Sequence, residues 1–364
     1  MTPPDPRSID LSTCPLQPRR CSFVLAAILA QHNWRHATKD KGVSHETMED
    51  RRQFLFRTFA FLRHNPTKAF ELDPRSFSGR HVEFLFRHYE QRARAGTLGA
   101  SSIQKYHSHL STFAAWIGKP NLVKPIGAYI DDAALYSRSY VARRSKAWRA
   151  RGVGVRAVID EVAAYDERAA AALELMSAFG LRFKEAVMFR PHLDVVAAEQ
   201  AGKPPGEAGH FVRLSRGTKG GRLRYLRVDT PEREQALARA RRIVLQEAES
   251  LGDPRHTLSQ AIRHLRYVME RFGITKRALG VVPHGLRHQF AADEHIERTG
   301  VAPPVEGGEP PQRDVSQMAR QEIAERLGHS RTQITTVYLG SPVAPRGNPP
   351  RAAQEARSDE PEST

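Results

Sequence analysis

Apolar residues first recur at helical spacing around residue 54. Phe54, Leu55, Phe59 and Leu62 fall on one face, and Asn65-Pro66 stops the run. Val82, Leu85, Phe86 and Tyr89 make a second stripe, closed at Ala95-Gly96. Ser101 or Ser102 can cap a third helix whose apolar face is Ile103, Tyr106, Leu110, Phe113 and Trp116; Lys119-Pro120 ends it. A fourth, shorter helix is predicted over Ile130–Tyr136. Four amphipathic helices with short connections predict a small all-α domain.

The pattern then changes. Residues 157–179 form an Ala-rich helical stretch, and His192–Val196 reads as a short strand. Phe211–Leu214 and Leu223–Val228 are better strands, joined by the glycine-rich turn 215–222 as a hairpin. Helices resume near Pro231 and run to Tyr338. They are interrupted at Gly300–Gln312, where four prolines and three glycines predict an inserted loop. The expected fold class is mainly α with a small β-sheet, an all-α domain followed by an α+β domain. The expected boundaries are a flexible arm at 1–20, a helical domain at 21–136, a basic linker at 137–152, a second domain at 153–340 and a disordered tail at 341–364.

Charge sharpens this. The chain has 364 residues, with 56 Lys and Arg against 40 Asp and Glu, a formal net charge of +16. Such a balance favours a polyanionic partner, because each neutralised phosphate releases counterions. The stretch Ser137–Gly152 concentrates it: Arg138, Arg143, Arg144, Lys146, Arg149 and Arg151 occur there with no acidic residue. A solvated linker would have the same composition; a strap lying on a phosphate backbone is the functional reading. The two cysteines, Cys14 and Cys21, do not make a disulfide framework and fit a reducing compartment. No run of about 18 apolar residues occurs, so no membrane-spanning helix is expected, and a cytoplasmic, nucleoid-associated location is.

The candidate chemistry is narrowed by what is missing. Neither phosphate-loop motif, GxGxxG or GxxxxGK[ST], is present. His284 and His288 have metal-ligand spacing, but Gly285 stands where a zinc protease needs its glutamate. What remains is a set of cationic and polar residues on element ends: Arg182 with Glu185 one turn on, Lys219 at the hairpin tip, His284, Arg287 and His288 opening a helix, His329 ending another, and Tyr338. Two arginines, a lysine, histidines and a tyrosine suit phosphoryl transfer without a metal. Guanidiniums fork onto non-bridging oxygens and stay charged at working pH. A phenol needs a base and a positive field to attack, and the leaving oxygen needs a proton, which a hairpin lysine can give. Singly, each residue reads as an ion pair, a turn lysine, a helix cap or a core-edge tyrosine; their order and joint spacing carry the weight.

That order resembles the tyrosine recombinase (phage integrase) family. Five blocks correspond: Gly180-Leu181-Arg182-x-x-Glu185, a hairpin lysine, His284-x-Leu286-Arg287-His288-x-Phe290-Ala291, Leu327-Gly328-His329-Ser330 and Thr336-x-Tyr338. The match covers about Ala157–Gly340, and Ser101–Gly118 resembles, less specifically, the family's helical core-binding domain. The resemblance implies that Arg182 and Arg287 clamp the scissile phosphate with His329, that His284 accepts the proton of Tyr338, and that Lys219 protonates the departing 5′-oxygen. Glu185 and His288 would orient these groups. It implies a 3′-phosphotyrosyl intermediate with no cofactor and no metal. It further implies double-stranded attachment sites as partners, a homotetramer at synapsis, accessory DNA-bending proteins, no membrane partner, and two domains closing round the duplex through the basic linker. Lys105, His107, Arg143, Arg144, Lys146 and Arg149 are the candidates to face DNA. Integrating or excising a mobile element is the expected job. The rivals are a type IB topoisomerase, a catalytically silent DNA-binding regulator of the same fold, and a metal-dependent hydrolase resting on His284 and His288.

Overall fold

The computed structural model describes residues 10–11, 13–36, 40–204 and 206–341, in two compact units divided between Ser139 and Tyr140. The expected tail falls outside the described residues except for Ser341.

In the first unit, four helices surround an aromatic core: α1 (Cys21–His32), α2 (His45–His64), α3 (Gly79–Arg94) and α4 (Ala100–Trp116). Ser44 starts α2 by accepting the Thr47 amide at 3.2 Å, and Asn65 turns extended ahead of Pro66 to end it. Phe59, Phe77 and Phe113 meet at ring-centroid distances of 5.2–5.8 Å, at tilted or edge-on angles that suit their quadrupoles. The expected stripes on α2, α3 and α4 line this core.

This unit differs from the sequence reading in three places. Helix α1, over Phe23–Ala30 and its flanks, has no counterpart among the stripes read from the sequence; being apolar almost all round, it lacks the amphipathic period that marks the others. The segment predicted as a fourth helix, Ile130–Tyr136, is instead a loop with a single 3-10 turn at Ala133–Leu135. There Asp132 caps the Ala134 amide at 2.9 Å and draws the backbone into a turn. The described part of the N-terminal arm is anchored: Arg75 donates to the carbonyls of Leu11, Cys14 and Pro15 at 2.7–2.8 Å.

The second unit opens with residues of the basic stretch. Trp148 is wholly buried there, its indole N–H donating to Val282 O at 2.9 Å. The stretch read as a linker is therefore partly core in this unit: one large aromatic among arginines seats the backbone while the charges stay outside. Helices α5 (Val155–Ala163) and α6 (Glu167–Phe179) follow, where the sequence suggested one stretch. Asp166 breaks it by capping the Ala169 amide at 2.9 Å. Next come α7 (Phe183–Met188), β1 (Val195–Ala197), β2 (His210–Leu214), β3 (Arg224–Val228), α8 (Pro231–Ile243), α9 (Leu258–Arg271), α10 (His284–Thr299), α11 (Arg313–Arg326) and α12 (Thr336–Leu339). The strands form an antiparallel sheet in the order β1-β2-β3, with Val212 paired to Val195 on one side and Leu226 on the other.

Helix α6 is the centre of this unit. Its run of buried alanines lets α5, α8 and α10 approach closely. Phe179 at its end is fully buried, worth about 1.5–3 kcal/mol of apolar transfer. Gly180 then reverses the chain with φ +59°, and a Cβ there would stand 2.5 Å from the Phe290 ring. Glycine is required on both counts, and the reversal delivers Leu181-Arg182 to the start of α7.

Candidate active site

The site forms where α7, α10, the end of α11 and α12 converge. Arg182 precedes α7, and Glu185 in its first turn reaches back to the Arg182 amide at 2.7 Å. The same carboxylate takes Arg182 Nη1 at 2.7 Å and both terminal nitrogens of Arg224 at 2.9 and 2.6 Å. Burial pushes the Glu185 carboxyl up, but the Arg224 fork and Arg182 outweigh it and hold the group down at about 2.

Arg287, on the first turn of α10, is wholly buried. Its three nitrogens donate to Tyr338 Oη at 3.3 Å, to Gly180 O and to Leu327 O. Arg182 Nη2 shares Leu327 O at 3.4 Å, so one carbonyl draws two guanidiniums together. Each fork keeps unspent N–H donors. Burial pushes Arg287 down to about 10, Arg182 adding to the effect, which leaves a cation short of counter-charge.

Tyr338 is buried against Phe290, Ile323 and Leu327, with its oxygen between Arg287 Nε and His329 Nε2, each at 3.3 Å. The His288 ring lies 4.7 Å and the His284 ring 6.3 Å from the phenol, centroid to centroid. Lys219 sits exposed in the turn Lys219–Gly221 at the hairpin tip, and its charge reaches His329. Gly285 allows the basic stretch to approach closely: a Cβ there would meet Lys146 O at 2.6 Å and the Trp148 ring at 2.8 Å.

All three imidazoles are held neutral. Burial first, then Arg287, Lys146 and Arg182, lowers His284 to about 4. Burial with Arg287, Arg182 and Arg224 lowers His329 to about 4, and burial with His284 and Lys146 takes His288 to about 3. Above pH 6.5 neither the folded nor the unfolded chain protonates these rings, so they do not affect stability. As pH falls from 6.5 towards 4 the unfolded chain takes up protons that the folded one refuses, and stability is lost. Below 4.5, Glu185 adds to the loss. Thermal denaturation should therefore show the melting temperature of the parent dropping steadily between pH 6.5 and 4, with a shallower slope for His288→Leu. An unchanged slope would mean that His288 is not held neutral.

The structure thus brings Arg182, Glu185, His284, Arg287, His288, His329 and Tyr338 into one site, with Lys219 at its margin. The other candidates fall differently. On α4, Lys105 pairs with Asp50 at 3.0 Å and His107 Nε2 lies 2.9 Å from Lys124 O. Arg143, Arg144 and Lys146 are exposed. Arg149 is held by two carboxylates, Asp293 and, at 2.9 Å, Glu306 of the inserted loop.

Sequence reasoning missed several structural arginines, Arg224 and Arg320 among them. Arg224 faces inward on β3, a charge at a buried position of a strand's alternation, and that was the available signal. Arg320 of α11 binds Thr335 Oγ1 at 3.3 Å and Gly340 O at 3.1 Å, tying both ends of α12. Among the described residues no three His, Cys, Asp or Glu side chains converge as a metal site, and no helix is long and apolar enough to cross a membrane.

Residues 139–293 match the sequence profile of the integrase family. No curated protein matches the chain. Among solved structures, the chain is similar to a lambda integrase dimer bound to a COC′ core site, with 14% identity, a TM-score of 0.51 and coverage of 86% of this chain and 76% of that one. It is likewise similar to the XerH site-specific recombinase on a palindromic difH substrate, with 13% identity, a TM-score of 0.51 and coverage of 94% and 84%. A lambda integrase tetramer bound to a Holliday junction gives 14% identity, a TM-score of 0.50 and coverage of 86% and 76%. At these identities the likeness is one of fold.

Proposed function

We propose that the chain, whose residues 139–293 match the integrase family, is a tyrosine-type site-specific DNA recombinase whose nucleophile is Tyr338. The observation that carries this is the buried phenol oxygen shared by Arg287 Nε and His329 Nε2 beside a second guanidinium, Arg182.

In the free protein the phenol oxygen stands where an oxygen of the scissile phosphate would sit. A docking phosphate takes over Arg287 and His329, and the unspent donors of Arg182 complete the clamp. The released phenol passes its proton to neutral His284, and its oxygen attacks phosphorus. The Tyr338 Oη–P bond forms, the P–O5′ bond breaks, and Lys219 gives the 5′-oxygen its proton. A free 5′-hydroxyl on a second strand then reverses the step with exchanged partners, so the phosphotyrosyl bond conserves the energy of the one broken. Arg143, Arg144 and Lys146 lie on the DNA backbone, with Lys105 and His107 on the first unit, while Arg149 serves structure in the free chain. The segment division is that of a helical DNA-binding domain followed by the catalytic one. Attachment sites on double-stranded DNA are the partners, a homotetramer the synaptic form, the cytoplasmic nucleoid the place of work, and movement of a mobile element the task.

Covalent trapping tests this. On nicked duplex carrying candidate attachment sequence, a denaturing gel should show a slow protein–DNA band of equal intensity with Mg²⁺ and with EDTA, since guanidiniums supply the charge stabilisation. Sequence-specific binding without a band under any condition would replace this reading by a catalytically silent regulator. Relaxation of plasmids that lack such sequence would favour the topoisomerase.

A further inference from the structure

Behind the clamp lies a second ionic cluster that the mechanism above does not use. Glu294 is almost wholly buried on α10, two turns beyond Arg287. Three guanidiniums converge on it: Arg233 of α8 at 2.6 Å, Arg326 of α11 at 3.0 Å and Arg298 of α10 at 2.5 Å. Burying one carboxylate with three arginines is costly unless each charge is fixed and used.

Two of these arginines run forward to the corners that hold Arg287. Arg233 Nε donates to Ala178 O at 3.1 Å, two residues before Gly180, whose carbonyl receives Arg287 Nη1. Arg326 immediately precedes Leu327, whose carbonyl receives Arg287 Nη2 and Arg182 Nη2 and which lies two residues before His329. Arg298 instead runs outward to Glu322 at 2.7 Å. We propose that Glu294 is a positioning residue for the phosphate clamp: through Arg233 and Arg326 it sets the two carbonyl corners, Gly180 and Leu327, that aim Arg287. The proposal rests on the recombinase reading for its catalytic meaning; its geometric content does not need DNA.

Losing Glu294 outright would endanger folding, so the test uses Glu294→Gln and Arg326→Ala, with Arg298→Ala as a control that breaks the same cluster on its outward side. The readouts are the trapping rate at saturating DNA, the DNA dissociation constant, the melting temperature, and the Nε–H resonance of Arg287 in arginine-labelled NMR spectra. Glu294→Gln and Arg326→Ala should slow trapping by about tenfold or more, the scale of a misaimed clamp. They should leave the dissociation constant within about twofold and move the Arg287 resonance, while Arg298→Ala does neither and Arg326→Lys recovers part of the rate. The proposal is overturned if Arg298→Ala slows trapping as much as Arg326→Ala at equal loss of melting temperature, or if the Arg287 resonance stays put in both test variants. If the parent itself gives no covalent band, the recombinase reading fails, and the resonance alone decides whether Glu294 positions Arg287.

Discussion

Tyr338→Phe is expected to bind DNA as the parent does and to form no covalent complex. The predicted loss is more than about 10⁴-fold in strand cleavage, the order seen when a site loses its nucleophile while binding and charge stabilisation remain. The ring keeps its packing against Phe290, Ile323 and Leu327, so no cavity opens. The only structural loss is one hydroxyl between Arg287 Nε and His329 Nε2, which costs about 1–3 kcal/mol if those groups find no water. Gel-shift titration beside a denaturing gel separates the two effects. A covalent band surviving in Tyr338→Phe would move the nucleophile elsewhere and sink the mechanism.

Glu185→Ala should have the largest effect on stability. It strips the shared counter-charge from Arg224, itself almost fully buried, and from Arg182, and it removes the acceptor that caps the Arg182 amide. Breaking one side of a buried ion pair typically costs about 3–5 kcal/mol, because the partner remains charged and unmatched. In a unit of this size that lowers the melting temperature by roughly 10 °C. The companion variant Glu185→Met with Arg224→Met replaces the pair by apolar side chains and should recover much of the stability. Cleavage should stay impaired, because Arg182 still lacks its anchor. Recovery of both in the double variant would reduce Glu185 to a packing role.

Much of the architecture was legible because it rests on local signals. The stripes on α2, α3 and α4 carry their period openly, and the hairpin Lys219 declares itself between two strand-like runs. What escaped did so for physical reasons. Helix α1 is apolar on too many sides to show a period, and Asp132, capping the Ala134 amide, turns a helix-like stretch into a loop. Trp148 was hidden by the arginines around it, although a lone large aromatic in a basic run is a reason to suspect an anchor. The site residues announced themselves as motif blocks. Their supports, Arg224, Arg233, Glu294 and Arg320, did not, because a buried charge is recognised only when its partner is in view, and the partners that tie them to the site lie far off in sequence. The engagement of Arg149 by Asp293 and Glu306 was invisible for the same reason.

The three neutral imidazoles give the resting enzyme a chemical latch. Their basicity is suppressed by burial and by arginine charges that no anion yet balances. In the proposed mechanism a phosphate arriving among those arginines cancels the arginine part of that field and raises the basicity of His284. A water between the guanidiniums, carrying no charge, leaves that field in place. By the reciprocity of linkage, whatever binds the clamp as an anion also draws protons into it.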